Sequence, residues 1–157
     1  MYQLDPAVKG VWSISYVMRT IFLTIVVFII DILFIQKNID FWFFPSGTLS
    51  LIIFFVGLIL SFIIPPISYK YWKFDVRESE VYLERGILTR IKTTAPFSRI
   101  QHLDVQQSLM ERMFKLSKLV LYTAGTRGAD VIIPGLPIEY AEELRDHLKD
   151  ITAEDSL

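Results

Sequence analysis

Apolar residues fill the first part of the chain almost without interruption and then give way to short alternating runs. From Phe41 to Tyr69 no position carries a charge, and "TLSLIIFFVGLILSFIIPPI", Thr48 to Ile67, is apolar all round rather than along one stripe. About 20 such residues in a helix cross roughly 30 Å of hydrocarbon, so this run predicts a transmembrane span. An earlier run, Ile14 to Ile35, contains Arg19 in its first part and Asp31 near its end. Both side chains reach towards the headgroups from a helix centred near Ile25, and a second span is predicted there. Between the two lies "QKNIDFWFFPSG", which makes the pair an antiparallel hairpin. Trp42 and the neighbouring phenylalanines suit an interfacial aromatic belt.

After Pro65-Pro66 the pattern changes to β-rich runs separated by turn residues. "YKYWKFDV" alternates aromatic and polar positions, "VYLERG" follows, and Gly86 breaks the chain before "ILTRIKTTAPF". "RIQHLDVQQ", "KLVLYTAG" and "ADVIIPG" complete six predicted strands. "SLMERMFKL" is a short helical interruption with Leu109, Met110, Met113 and Phe114 on one apolar face. The closing "LPIEYAEELRDHLKD" predicts an amphipathic helix, with Pro137 at its first position and Ile138, Ala141, Leu144 and Leu148 on one face. Its acids, Glu139, Glu142 and Glu143, come early and His147 and Lys149 late, as the helix dipole favours. The expected architecture is an α+β membrane protein: a transmembrane hairpin over residues 1–68, a small β-barrel or bent sandwich closed by a C-terminal helix over 69–150, and a frayed acidic tail over 151–157.

The hairpin accounts for a composition that is otherwise high for 157 residues, 52% hydrophobic with a mean hydropathy of +0.42. Before residue 68 only Asp5, Lys9, Arg19, Asp31, Lys37 and Asp40 are charged, and the other 27 charged residues follow. Lys9 and Arg19 precede the first span and Lys70, Lys73 and Arg77 follow the second, against Lys37 in the connector. Both termini are therefore expected in the cytoplasm, with the chain a multi-pass protein of the plasma membrane. No small-residue cleavage site follows the first apolar run, so an uncleaved anchor is expected. A net charge of −1 conceals a polarity: Lys70 to Arg127 holds 11 basic and 6 acidic residues, and Gly128 to Leu157 holds 2 basic and 8 acidic. The absence of cysteine excludes disulfides, thiol nucleophiles and thiolate metal sites.

Candidate chemistry is sparse. His102 and Asp104 share one face of a strand near Ser98 and Ser108, but "SRIQHLDVQQS" lacks the Gly-flanked elbow that exposes a nucleophile. Two distant histidines without a His-Glu-x-x-His or calcium-loop pattern imply no metal, and no phosphate loop or other cofactor motif is present. "GTRG", Gly125 to Gly128, fits a hairpin turn better than an RNA-binding loop, which joins helices, so no nucleic-acid partner is expected. Arg19 and Asp31 are candidates for pairing with further helices; Asp31 alternatively reaches interfacial water. Arg99 is expected to hold Asp104, Glu111 or a backbone carbonyl and so organise the fold. Arg85, Arg90, Lys92, Arg112, Lys115 and Arg127 are candidates for contact with anionic lipid or a partner, within a wider basic set that includes Lys118.

The stretches "YWKFDV", "ERGILTR" and "APFSRIQHLDVQQSLMERMFKLSKLVLYTAG", with "IPGL" before a helix containing "EELRDHL", resemble the bacterial pleckstrin-homology-like (PH-like) family. The resemblance covers about Tyr69 to Asp150, and "LDPAVKGVWSI" fits the family's opening. It implies a PH-like soluble domain and similarity to the family's small two-helix membrane proteins. These are often accompanied by a larger relative with duplicated PH-like domains, which implies such a relative, or a second copy, as a protein partner. "RESE" and "ERGILTR" are mixed in charge, so no phosphoinositide site is carried over. The function implied is a non-enzymatic interaction or scaffold subunit of a membrane complex, extending by analogy to envelope stress or antimicrobial response. An anionic-lipid-sensing module is the alternative, and an enzyme acting at the bilayer surface is a third reading.

Overall fold

A computed structural model describes residues 2–35, 45–124 and 131–154. They divide into two compact units: Trp12–Pro66, and the N-terminal segment through Val11 together with Ile67–Leu157. The predicted aromatic connector, the "GTRG" turn, Arg127 and the last residues of the acidic tail lie outside the described residues.

Two helices have the length and composition to cross a membrane, Val8–Leu33 and Thr48–Tyr71. The first, α1 (Val8–Ile30), continues into a π-helical turn at Asp31–Ile35, and the second is α2 (Thr48–Tyr71). Asp5 starts α1: its Oδ1 accepts the Ala7 N–H at 2.8 Å, with Pro6 supplying a fixed φ where no donor is required. In the hairpin unit the large apolar side chains face outward, among them Phe22, Leu51, Phe55, Ile59 and Phe62. Among the described residues, the side chains it buries are small or polar: Ser50, Ser61, Pro65 and Asp31. A Cβ added at Gly57 would collide with Thr20, so glycine there permits close helix approach. Beside it the Ser61 hydroxyl donates to the Gly57 carbonyl at 2.7 Å and lies 3.5 Å from the Thr20 hydroxyl.

Pro65 and Pro66 lie inside α2, which continues to Tyr71 instead of yielding to a strand. Each proline removes one amide donor, but in hydrocarbon the remaining backbone groups have no solvent to turn to, and helical bonding persists around the gap. The first strand is correspondingly short.

In the soluble unit, β1 (Lys73–Val76), β2 (Glu80–Arg85) and β3 (Ile91–Pro96) form an antiparallel meander. A 3-10 turn at Phe97–Arg99 leads to β4 (Ile100–Gln106), a short helix α3 (Leu109–Met113), β5 (Leu116–Thr123) and β6 (Val131–Pro137). Strands β4, β5 and β6 make a second antiparallel sheet, and α4 (Ile138–Glu154) packs on its strands and on the 3-10 turn. This is the α+β arrangement expected, with all six strands. Phe74, Val81 and Leu83 of the first sheet, Leu119, Leu121 and Ile133 of the second, and Ala141, Leu144 and Leu148 of α4 are buried. Pro137 ends β6 rather than beginning the helix. At its other end α4 runs four residues beyond the expected boundary, because Ile151 is half-buried and the Thr152 hydroxyl donates to the Lys149 carbonyl at 2.9 Å.

The N-terminal arm departs most from expectation: it belongs to the soluble unit, not to the hairpin. Tyr2 and Phe74 exchange backbone hydrogen bonds at 2.7 and 3.1 Å, which adds a third pairing at the β1 edge of the first sheet. The Asp5 N–H donates to the Gly135 carbonyl at 2.9 Å, the Tyr69 hydroxyl donates to the Leu4 carbonyl at 2.9 Å, and Leu4, Val8 and Val11 are buried. Gly135 has φ +64°, and a Cβ there would come within 2.7 Å of Val8, so the arm seats where β6 has no side chain.

Candidate functional site

The His102–Asp104 pair exists: His102 Nε2 lies 2.8 Å from Asp104 Oδ1, both side chains on the same face of β4. It borders an open cleft of about 410 Å³ lined by Ile100, Leu103, Arg145, Asp146, Lys149 and Thr152. The His102 side chain is 68% exposed. Water therefore screens the pair. Ser108 is occupied elsewhere. Its Oγ accepts the Glu111 N–H at 3.4 Å while the Glu111 carboxylate accepts the Ser108 N–H at 2.7 Å, a capping box that starts α3. Across the cleft Arg145 pairs with its neighbour Asp146 at 2.8 Å. That hydrogen bond holds the Asp146 carboxyl below its ordinary range, and the guanidinium above its own. Among the described residues no three His, Asp or Glu side chains converge as a metal site.

Arg99 does not hold either acid expected of it. Asp104 is paired with His102 and Glu111 with the backbone of Ser108. Arg99 falls in the 3-10 turn ahead of β4 with its side chain exposed, and its carbonyl accepts the Ala124 N–H at 2.8 Å. Its organising contribution is thus made by the main chain. Asp31 is likewise redirected. It is 1% exposed, so it does not reach water, and its Oδ2 accepts the Gly47 N–H at 2.6 Å. It caps the start of α2 from the end of α1, with Gly47 at φ +85° and the Ser50 hydroxyl donating to the Gly47 carbonyl at 2.7 Å. Its other oxygen has no hydrogen-bond partner among the described residues. Arg19 faces outward on α1, its Cζ 5.9 Å from the Tyr16 ring centroid.

The basic candidates form two groups. Arg85, Arg90 and Lys92 surround the β2–β3 turn, with the Arg85 guanidinium 5.7 Å from the Trp72 ring centroid and Lys92 opposite Glu84 in the ladder. Arg112 and Lys115 are exposed at α3, where Lys115 takes the left-handed conformation, φ 55°, that ends the helix. Sequence reasoning missed the apolar residues set among these cations. Ile87 and Leu88 are exposed in the turn, and Leu109 and Met113, expected on one apolar face of the short helix, project from α3 into the open. Phe114 of that set packs next to Gly10 of the N-terminal helix. A helix of five residues is too short to bury a full stripe. Two signals were available: two apolar residues inside a glycine turn, and the Ser-x-x-Glu of the capping box.

With this geometry in hand, the class is defined by comparison. Residues 16–152 match the family described as Bacterial PH domain, and the chain belongs to that family. UPF0699 transmembrane protein YdbS of Bacillus subtilis (strain 168) is 27% identical over 146 residues, which cover 93% of this chain and 89% of YdbS. UPF0699 transmembrane protein YdbT of the same organism is 26% identical over 101 residues, covering 64% of this chain but 20% of YdbT, so the match spans about a fifth of that longer relative. No solved structure matches. Two apolar helices and a transmembrane relative together make this a membrane protein carrying a PH-family domain.

Proposed function

We propose that the protein is a non-enzymatic, membrane-anchored PH-domain subunit that binds another protein of the same membrane, with both termini in the cytoplasm. The observation that carries the reading is Arg19. It projects outward from α1 and makes no ion pair with a described residue, whereas the one acid of the spanning segments, Asp31, is engaged within the hairpin. A cation at such a place favours a carboxylate or a carbonyl on another helix, since lipid tails offer it nothing. A larger homologous membrane protein with duplicated PH-like domains is the partner proposed first, and a second copy of this chain is next. Ser108, one hydroxyl that could have served the His102–Asp104 pair, is held in a capping box instead, which favours the binding reading. The charge bias of the flanks, Lys9, Arg19, Lys70, Lys73 and Arg77 against Lys37 in the connector, supports the orientation.

The test is extraction of the full-length protein in mild detergent from its native membrane, followed by native mass determination. A stoichiometric partner is expected, retained in Arg19→Lys and lost in Arg19→Leu. A wild-type protein that is monomeric with lipid alone overturns the reading.

A further inference from the structure

Two prongs of the soluble unit share an unusual composition. The β2–β3 turn carries Leu88 at 100% exposure, with Ile87 and Ile91 also exposed, and is ringed by Arg85, Arg90 and Lys92. Helix α3 carries Leu109 at 73% and Met113 at 71%, flanked by Arg112 and Lys115. Single exposed apolar residues are common on soluble surfaces, but a fully exposed leucine at a turn tip enclosed by three cations is the composition of an interfacial membrane anchor.

Contacts within the soluble unit locate both prongs beside the ends of the apolar helices. Strand β1 begins two residues after α2 ends at Tyr71, and Lys73 at its start pairs with Glu84, next to Arg85 at the mouth of the turn. Arg85 stacks over Trp72, the residue that links α2 to β1. The turn therefore lies at the end of the sheet that is joined to α2. For α3 the neighbour is the start of α1: a Cβ at Gly10 would come within 2.8 Å of the Phe114 ring. At the opposite end of the first sheet, the β1–β2 turn is polar, with Arg77 bonded to Glu80 at 2.6 Å and Glu78 exposed.

We propose that the β2–β3 turn and α3 are a two-pronged contact with anionic lipid, in which Leu88, Leu109 and Met113 enter the headgroup–acyl boundary and Arg85, Arg90, Lys92, Arg112 and Lys115 meet lipid phosphates. The occupant is the leaflet to which the helices join the domain. Hydrophobic side chains at the tip gain from leaving water, and cations behind them meet the negative surface at the depth where it lies. The contact would hold the PH-family domain in one orientation against the bilayer. It goes beyond the adaptor reading and does not depend on it.

The chain's lack of cysteine makes a direct test available. Full-length Leu88→Cys and Met113→Cys proteins, labelled with an environment-sensitive fluorophore, are reconstituted into vesicles of phosphatidylcholine with and without phosphatidylglycerol, with Glu78→Cys as the polar-end reference. A nitroxide placed high on the acyl chain of a tracer lipid reports contact. The expected result is quenching at 88 and 113 about threefold stronger than at 78, growing with phosphatidylglycerol and weakened by salt or by Arg90→Glu with Lys92→Glu. Equal quenching at all three positions overturns the proposal. So does a blue-shifted probe at 88 that lipid nitroxides do not quench, which assigns the prong to a protein contact. Labelling an exposed turn leaves the core intact, and circular dichroism matching the parent establishes that in each variant.

Discussion

The hairpin and the soluble unit are built from one chain with opposite rules of burial. In the soluble unit Phe74, Leu119, Leu121 and Ile133 are inside and the charges outside. In the hairpin Phe22, Phe55 and Phe62 face out, and a seam of Ser50, Gly57 and Ser61 with Thr20 faces in. The difference teaches that burial has no fixed meaning apart from solvent. Water rewards removing apolar area, whereas lipid tails are indifferent to it and leave close packing and polar pairing to hold helices together. Asp31 belongs to the second regime, since a carboxylate is kept inside because an amide donor meets it there.

The comparison is broken most sharply by giving both units the same substitution. Phe74→Ala, in the sheet core against Tyr2, is expected to destabilise the soluble unit by about 4 kcal/mol. Phe55→Ala on the outer face of α2 should cost the full-length protein less than about 1 kcal/mol, both read by thermal melts of the reconstituted chain. A large loss at Phe55 would show that this face packs on protein rather than lipid. Next in size is Asp31→Ala, which leaves the Gly47 amide without its acceptor at a cost of about 2 kcal/mol. Asp31→Asn keeps an acceptor oxygen and should recover more than half of that in a denaturing-detergent titration of helicity.

Gly57→Leu pushes a side chain into Thr20 and should cost the hairpin about 1.5 kcal/mol. Pairing the change with Thr20→Ala, which makes room for it, should reduce the loss in the same titration. Smallest is a pH effect. Arg145 holds the Asp146 carboxyl below its ordinary value of 3.8, so the contribution is present above that value and is lost as pH falls through the lowered one. Asp146→Asn should flatten the acid limb of the stability profile slightly and leave the neutral region unchanged.

How much of this was legible varies with the range of the interaction. The six strands and the closing helix follow from local periodicity, and Gly86 marks its turn through φ +108°. The boundary after Pro65-Pro66 was misplaced because proline argues against helix in water, and the argument weakens in a medium where no alternative partner exists. Among the site residues, His102 and Asp104 meet as the strand period dictates, while Arg99 was assigned partners that nearer groups already occupy.

The amino-acid order by itself therefore determined the two spanning segments, the antiparallel β-rich unit and the face of the closing helix that is buried, because each depends on side chains a few positions apart. Tertiary structure alone decided that the first eleven residues join the soluble unit, that Asp31 caps α2 and that two apolar tips stand exposed among cations. Those outcomes hang on pairings such as Tyr69 with Leu4 and Asp5 with Gly135, across separations where the sequence carries no period to read.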